Sequence, residues 1–168
     1  MANNIDLIGD DGCIKQLVTG NFSDTNASYI DDKVKNIGAY AFYGCSGLTA
    51  IDFPAVKNIG MYAFYNCSQL ISADFLVANY INTYAFQYCA KLTSIILRKS
   101  DAICTLSNKN AFDSTPISSG TGYIYVPRAL VDSYKAASKW STYANQFRAL
   151  EDYTVDGTIS GALDPSKI

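Results

Sequence analysis

Residues 37–48 read IGAYAFYGCSGL, residues 59–70 read IGMYAFYNCSQL and residues 81–92 read INTYAFQYCAKL. Phe42, Phe64 and Phe86 therefore follow one another at steps of 22 residues. Ile37, Ile59 and Ile81, then Tyr40, Tyr62 and Tyr84, then Cys45, Cys67 and Cys89, and finally Leu48, Leu70 and Leu92 keep the same step. A short, fixed period of this kind marks a solenoid, because no single unit can bury its own apolar side and each coil must roof the next.

The periodicity changes inside each unit. LTAIDFP, LISADFL and LTSIILR alternate, with Ile51 and Phe53, Ala73 and Phe75, and Ile95 and Leu97 on one side, which is strand behaviour. AF-x-x-C-x-x-L carries apolar residues at spacings of three and predicts one tight helical or 3₁₀ turn. A return crossing starts near Val34 and Val56. A fourth, less regular unit follows: Ala111-Phe112 arrives 26 residues after Phe86, so four residues are inserted around RKSDAICTLSNKN, expected as a loop bulging from one face. GYIYVP then repeats the strand, with Ile124 and Val126 inward and Pro127 in the place of Pro54. Upstream, Ser28-Tyr29-Ile30-Asp31 reads as an incomplete first strand, one residue out of the 22 step.

An open stack leaves a sheet edge and an apolar end to be covered. The C-terminal segment suits that: Pro127 can open a helix through RALVDSYKAAS, and WSTYANQFRAL places Trp140, Tyr143, Phe147 and Leu150 at helical spacing, as a cap or as a partner-binding groove. Asp156-Gly157 marks a turn between short β-favouring runs, a hairpin followed by a loose tail. The expected divisions are an N-terminal cap over 1–33, repeats over 34–127, a helical cap over 128–152 and a hairpin and tail over 153–168.

Composition removes several classes of function. With 168 residues, 49% hydrophobic and 17% charged, the chain must fold around a core. Thirteen Lys and Arg against fifteen Asp and Glu, with no basic run, leave no stripe to track a nucleic-acid backbone. No stretch of about eighteen apolar residues could cross a bilayer, and MANNIDLIGDDGCIKQL has neither the basic nor the apolar part of a secretory leader. Production in the cytoplasm is expected, with the destination, cell surface or virion, left open. There is no histidine, and no GxxxxGK[ST] or GxGxxG loop, so the chain is expected to be non-enzymatic and to need no cofactor. The five cysteines lack the close pairs that zinc requires. Cys45, Cys67 and Cys89 instead fall at one position per coil, as small buried thiols in a reduced protein rather than metal ligands.

Two surfaces carry candidate binding residues. On the outer face of the main sheet, alternation points Ala50, Asp52 and Pro54 outward, then Ser72, Asp74 and Leu76, then Ser94, Ile96 and Arg98, then Tyr123 and Tyr125. Asp52 and Asp74 would be adjacent carboxylates about 5 Å apart, a solvated pair or one that favours a cation nearby. Asp52, Asp74, Leu76, Ile96, Arg98, Tyr123 and Tyr125 are the first candidate for a partner-binding patch. The alternative is an aromatic ladder of Tyr40, Tyr62 and Tyr84, with Tyr43 and Tyr65 beside it, which is either structural stacking or a strip that a protein or glycan could grip.

IGAYAFYGCSGLTAIDFP, with its Ile-Gly, Ala-Phe, Gly-Cys and spaced Leu before a strand ending near Pro, resembles the BspA-like leucine-rich-repeat family over about residues 14–150. The third unit departs from the pattern at Asn82 and Ala90. The resemblance implies a right-handed stack with a sheet along one side, known from bacterial surface, other cell-surface and phage-associated proteins, with adhesion or protein binding as its role. The C-terminal tail is similar to those of repeat proteins encoded near prophage tail genes of gut bacteria. The expected fold is α+β: a right-handed leucine-rich-repeat solenoid of about four coils with a one-sided β-sheet and a C-terminal helical cap. The expected function is an adhesin-like binding module for a surface protein or glycan; the alternative is a phage tail or virion component that self-associates as a homo-oligomer.

Overall fold

The computed structural model describes residues 13–14, 27–30, 34–155 and 158–159, with side chains over 34–153. The expected N-terminal cap falls largely outside the described residues, as do the Asp156-Gly157 turn and the tail after Ile159. Six strands form one parallel sheet: β2 (Ala27–Ile30), β4 (Leu48–Phe53), β6 (Ser72–Phe75), β8 (Ser94–Leu97), β10 (Tyr123–Val126) and β11 (Phe147–Ala149), neighbours in that order. Its register repeats the sequence step, pairing Ile51 with Ala73 and Ala73 with Ile95. Ser28–Ile30 also keep the 22 step against β4; the irregularity expected there lies between Ala27 and Ser28.

The expectation of a one-sided sheet is corrected. The return crossings form a second parallel sheet of two-residue strands, β1 (Cys13–Ile14), β3 (Asn36–Ile37), β5 (Asn58–Ile59), β7 (Tyr80–Ile81) and β9 (Thr105–Leu106). Two residues are too few to show an alternating pattern, so Ile37, Ile59 and Ile81 kept the 22-residue step without marking strands. The remaining strands, β12 (Thr154–Val155) and β13 (Thr158–Ile159), pair antiparallel.

Between the sheets lies the core. Phe42, Phe64, Phe86 and Phe112 form a single column, with ring centroids 4.9, 5.1 and 5.5 Å apart and planes within 9° of parallel. Cys45, Cys67 and Cys89 are buried beside it and are not disulfide-bonded. The Cys67 thiol donates to Phe42 O at 3.1 Å and the Cys89 thiol to Phe64 O at 3.0 Å. Burial pushes the Cys45 thiol up to about 12, and the Cys67 thiol is raised by burial and then by Cys89, so these are packing thiols and not nucleophiles.

The turn segments are not 3₁₀ helices in the three regular units. Ala41, Tyr43 and Cys45 donate their N–H groups back three residues, to Gly38, Tyr40 and Phe42. The N–H groups between them leave the coil: Tyr40, Phe42 and Gly44 donate to Met61, Ala63 and Tyr65 of the next. Left-handed backbone at Tyr40, Tyr62 and Tyr84 (φ 63°, 57° and 59°) and again at Gly44, Asn66 and Tyr88 interrupts any helix and turns alternate N–H groups towards the neighbour. Gly60 is required for a different reason, since a Cβ there would lie 2.6 Å from Ala39 N and 2.7 Å from Gly38 C of the preceding coil. Among the described units, the fourth alone forms a 3₁₀ turn, Lys109–Phe112, capped by the Asn108 side chain.

The inserted residues are also located by register. The offset between coils is 22 at Leu97, 25 at Leu106 and 26 at Phe112, so most of the insertion lies between β8 and β9. A short helix, α1 (Pro116–Ser119), boxed by Thr115 and Ser118, then lengthens the path to β10. The C-terminal region is helical only in part. α2 (Val131–Ala136) and a 3₁₀ run over Trp140–Gln146 precede β11, so Phe147 and Leu150 do not continue a helical stripe. Trp140, Tyr143 and Phe147 point into the main core, whereas Leu150 packs on the sheet's other face.

Candidate functional site

The outer face of the six-stranded sheet holds the first group of expected binding residues, and the alternation that placed them there is observed. Two of them are not available. Ile96 is 5% exposed and Tyr125 2%, because Leu150 and Tyr153 fold back from β11 over them. The Tyr153 ring meets Tyr125 edge-on at 5.2 Å, and burial with that neighbouring phenol pushes the Tyr125 hydroxyl up to about 12. Glu151 accepts from the Arg128 backbone N–H, and Asp152 pairs with its guanidinium, which fixes the returning segment at the edge. The expectation that Ile96 and Tyr125 form an exposed contact patch is therefore corrected, and removing Tyr125 would test packing rather than recognition.

The charged members of that face mostly satisfy one another. Arg98 Nε and Nη2 donate to the two oxygens of Asp74 at 2.8 and 2.7 Å, so the cation that the adjacent carboxylates favour comes from the next strand. Asp52, paired in register with Asp74, is left beside this ion pair. Partial burial and then Asp74 hold its carboxyl above the usual range, against a smaller lowering by Arg98. Because the folded state holds this proton more tightly than the unfolded chain, ionised Asp52 destabilises the fold, and the penalty disappears as pH falls through the raised value. Asp52→Asn is expected to raise stability at neutral pH by up to about 1 kcal/mol and to make no difference under acid conditions, as read from paired urea titrations. Tyr123 is half-buried and carries the Arg148 guanidinium 4.4 Å from its ring centroid. Leu76 is exposed.

The second candidate surface is better formed. Tyr62 has a ring on each side, Tyr40 at 5.0 Å and Tyr84 at 4.9 Å, both stacked. A second column runs beside it: Tyr43 stacks on Tyr65 at 4.8 Å, and Tyr88 meets Tyr65 edge-on at 5.4 Å. The columns touch within each coil, with Tyr40 and Tyr43 at 5.6 Å and Tyr62 and Tyr65 at 5.2 Å. Tyr40 and Tyr88 are 47% and 46% exposed, and the other four are half-buried. Tyr88 was missed by the repeat because it stands where Gly44 and Asn66 stand, one residue beyond the Tyr43 and Tyr65 position, which Gln87 takes. Partial desolvation and then the adjoining phenols raise Tyr62 and Tyr65, so both remain protonated donors.

The turn segments that carry these tyrosines are free of charge, and the next coil places Asp113 beside Tyr88, whose N–H donates to its carbonyl. No Asp, Glu, Lys or Arg occurs in residues 36–51, 58–73 or 75–90, a further signal in the sequence beside the recurrence of tyrosine that pointed to the ladder. Non-glycine residues in left-handed backbone cost roughly 1–3 kcal/mol each, yet Tyr occupies that position in all three units. Among the described residues no group of His, Cys, Asp and Glu could hold a metal ion, and no helix is long and apolar enough to cross a membrane.

The family model for the BspA type leucine-rich repeat region matches residues 17–126 in six copies. No curated protein matches the chain. Repeats of this type suggest a protein-binding, adhesin-like module, and the family is typically non-enzymatic. On the 22-residue step, the parallel register that follows it and this match, the chain belongs to the BspA-type leucine-rich-repeat family.

Proposed function

We propose that the protein is a non-enzymatic binding module, a right-handed solenoid of about four coils that offers a rigid surface to a macromolecular partner, a surface protein or a glycan, and that the tyrosine face is the surface it uses. The observation that carries this reading is the double row of six tyrosines, carried on three turn segments without a charged residue beside the stacked Phe column. Tyr offers wide amphipathic contact with little side-chain entropy to lose, and here stacking has already removed most of that entropy. The outer sheet face ranks second, since its Asp74 and Arg98 are paired and its apolar centre is covered.

An array of glycans and surface proteins tests the reading. Capture by the wild-type chain should be lost in the double variant Tyr43→Ser, Tyr65→Ser, whose positions lie outside the left-handed turns, when measured well below its own, lowered melting temperature. Retained capture would move the site to the outer sheet. Sedimentation separates the rival role as a self-associating tail or virion part, which requires a stable oligomer at micromolar concentration.

A further inference from the structure

The second tyrosine column ends on a residue that the repeat does not call for. Gly44 and Asn66 hold the left-handed position in the first two units, as residues that tolerate it, but the third unit places Tyr88 there at φ 63°. A tyrosine in that backbone is strained, and its ring is what the strain delivers. Tyr88 is 46% exposed and meets Tyr65 edge-on, with centroids 5.4 Å apart and planes at 85°. Carbon–carbon coupling of two phenols joins ring rims, so an edge-on pair stands nearer to it than a stacked pair such as Tyr43 and Tyr65, whose faces meet at 4.8 Å and 8°. Tyr62 also meets Tyr65 steeply, at 67°, but is itself held between Tyr40 and Tyr84. Tyr88 has freedom to turn, since nearly half its surface faces solvent and, among the described residues, Tyr65 is the ring it touches.

We propose that Tyr65 and Tyr88 form an oxidative cross-linking site, at which a one-electron oxidant of the peroxidase class joins two successive coils through a carbon–carbon bond. Each phenol gives one electron to the oxidant and its proton to water, which leaves a phenoxyl radical with spin on the carbons ortho to oxygen. The oxidant reaches Tyr88 directly. Tyr65 touches Tyr43, Tyr62 and Tyr88, and Tyr62 touches exposed Tyr40, so oxidising equivalents that enter at either exposed ring can reach it through rings in contact. The two radicals then couple at ortho carbons, and the hydrogen on each of those carbons moves to the oxygen, restoring both phenols. Two electrons and two protons leave the protein for each bond formed, and they reduce one hydrogen peroxide to two waters. The thiols of Cys45, Cys67 and Cys89, which would quench such a radical, are buried in the core. The link fastens the second coil to the third whichever partner the tyrosine face binds.

The full chain, dilute enough that copies seldom meet, is treated with a haem peroxidase and limiting hydrogen peroxide. Dityrosine fluorescence and mass spectrometry read the product after cleavage at the lysines and before Asp74, which separates Tyr65 from Tyr88. The expected product is a monomer lighter by two hydrogen atoms, in which residues 58–73 are joined to residues 74–91 through Tyr65 and Tyr88. Tyr88→Phe keeps the ring and should lose the link. Tyr80→Phe, on the same fragment but outside both columns, should keep it. Treatment of the chain unfolded in urea should remove the preference for this pair. A monomer without the link, a link that joins other tyrosines or two copies, a link retained in Tyr88→Phe, or the same pair formed equally in urea overturns the proposal.

Discussion

Phe64→Ala is expected to lower the unfolding free energy by about 3–5 kcal/mol, a large part of the stability of a domain this size. Phe64 is wholly buried between Phe42 and Phe86, with centroids 4.9 and 5.1 Å away, and is tilted on Phe53 at 6.4 Å. Its removal strips a stacking partner from both neighbours at once. The gap cannot close by sliding the coils together, because Phe42 N–H to Ala63 O and Phe64 N–H to Ala85 O, each 2.7 Å, fix the step between them. Stability in a repeat stack is summed over neighbouring interfaces, so a central coil loses two where an end coil loses one. Urea unfolding followed by circular dichroism and by the fluorescence of the single tryptophan, Trp140, measures the cost and shows whether the C-terminal region unfolds with the middle coil. An unchanged midpoint would take Phe64 out of the core.

The interior was legible and the coverings were not, and the reason is periodicity. A buried column needs the same residue at the same step, so Phe42, Phe64, Phe86 and the cysteines beside them could be placed from spacing alone. Alternation likewise put Ile96 and Tyr125 on the correct side of the sheet. It could not say that Leu150 and Tyr153 return over them, because those two residues occur once and follow a segment whose helical spacing concealed β11. The ion pair between Arg98 and Asp74 was hidden for a similar reason: the two were read as members of one exposed patch, while strand register sets them close enough to satisfy each other. On the tyrosine face, spacing gave the ladder, but not the left-handed backbone that aims it. A φ near 60° at Tyr is a choice that propensity argues against. Tyr88 joined the second column from a position one residue out of step, where no pattern could foresee it.

Trp140→Ala is expected to cost about 3–5 kcal/mol as well, but with the loss concentrated at the C-terminal end of the stack. Along the second sheet each coil accepts hydrogen bonds from the next at one recurring carbonyl. Lys57 O accepts from the Asn79 and Tyr80 N–H groups, and Asn79 O accepts from Thr105 N–H. Cys104 stands at the same place in the last regular crossing, where no further coil follows, and its carbonyl accepts from the Trp140 indole N–H at 2.6 Å. The Tyr134 hydroxyl meanwhile accepts from the Cys104 N–H at 2.7 Å, and the Tyr143 hydroxyl donates to Lys109 O. Trp140 and Tyr143 thus donate to carbonyls at the end of the stack that another coil would have served, and Tyr134 from the same segment takes up the Cys104 N–H. The indole also packs on Phe112 at 5.9 Å, extending the Phe column by one ring. Trp140→Phe separates the two contributions: it keeps most of the apolar bulk but leaves Cys104 O without its donor, a loss of about 1–3 kcal/mol for a buried carbonyl. Hydrogen exchange in that variant should speed up first at the amides of 105–112, while those of Phe42 and Phe64 stay protected. Exchange that rises equally along the chain would mean that Trp140 supports the whole core and does not stand in for the missing coil.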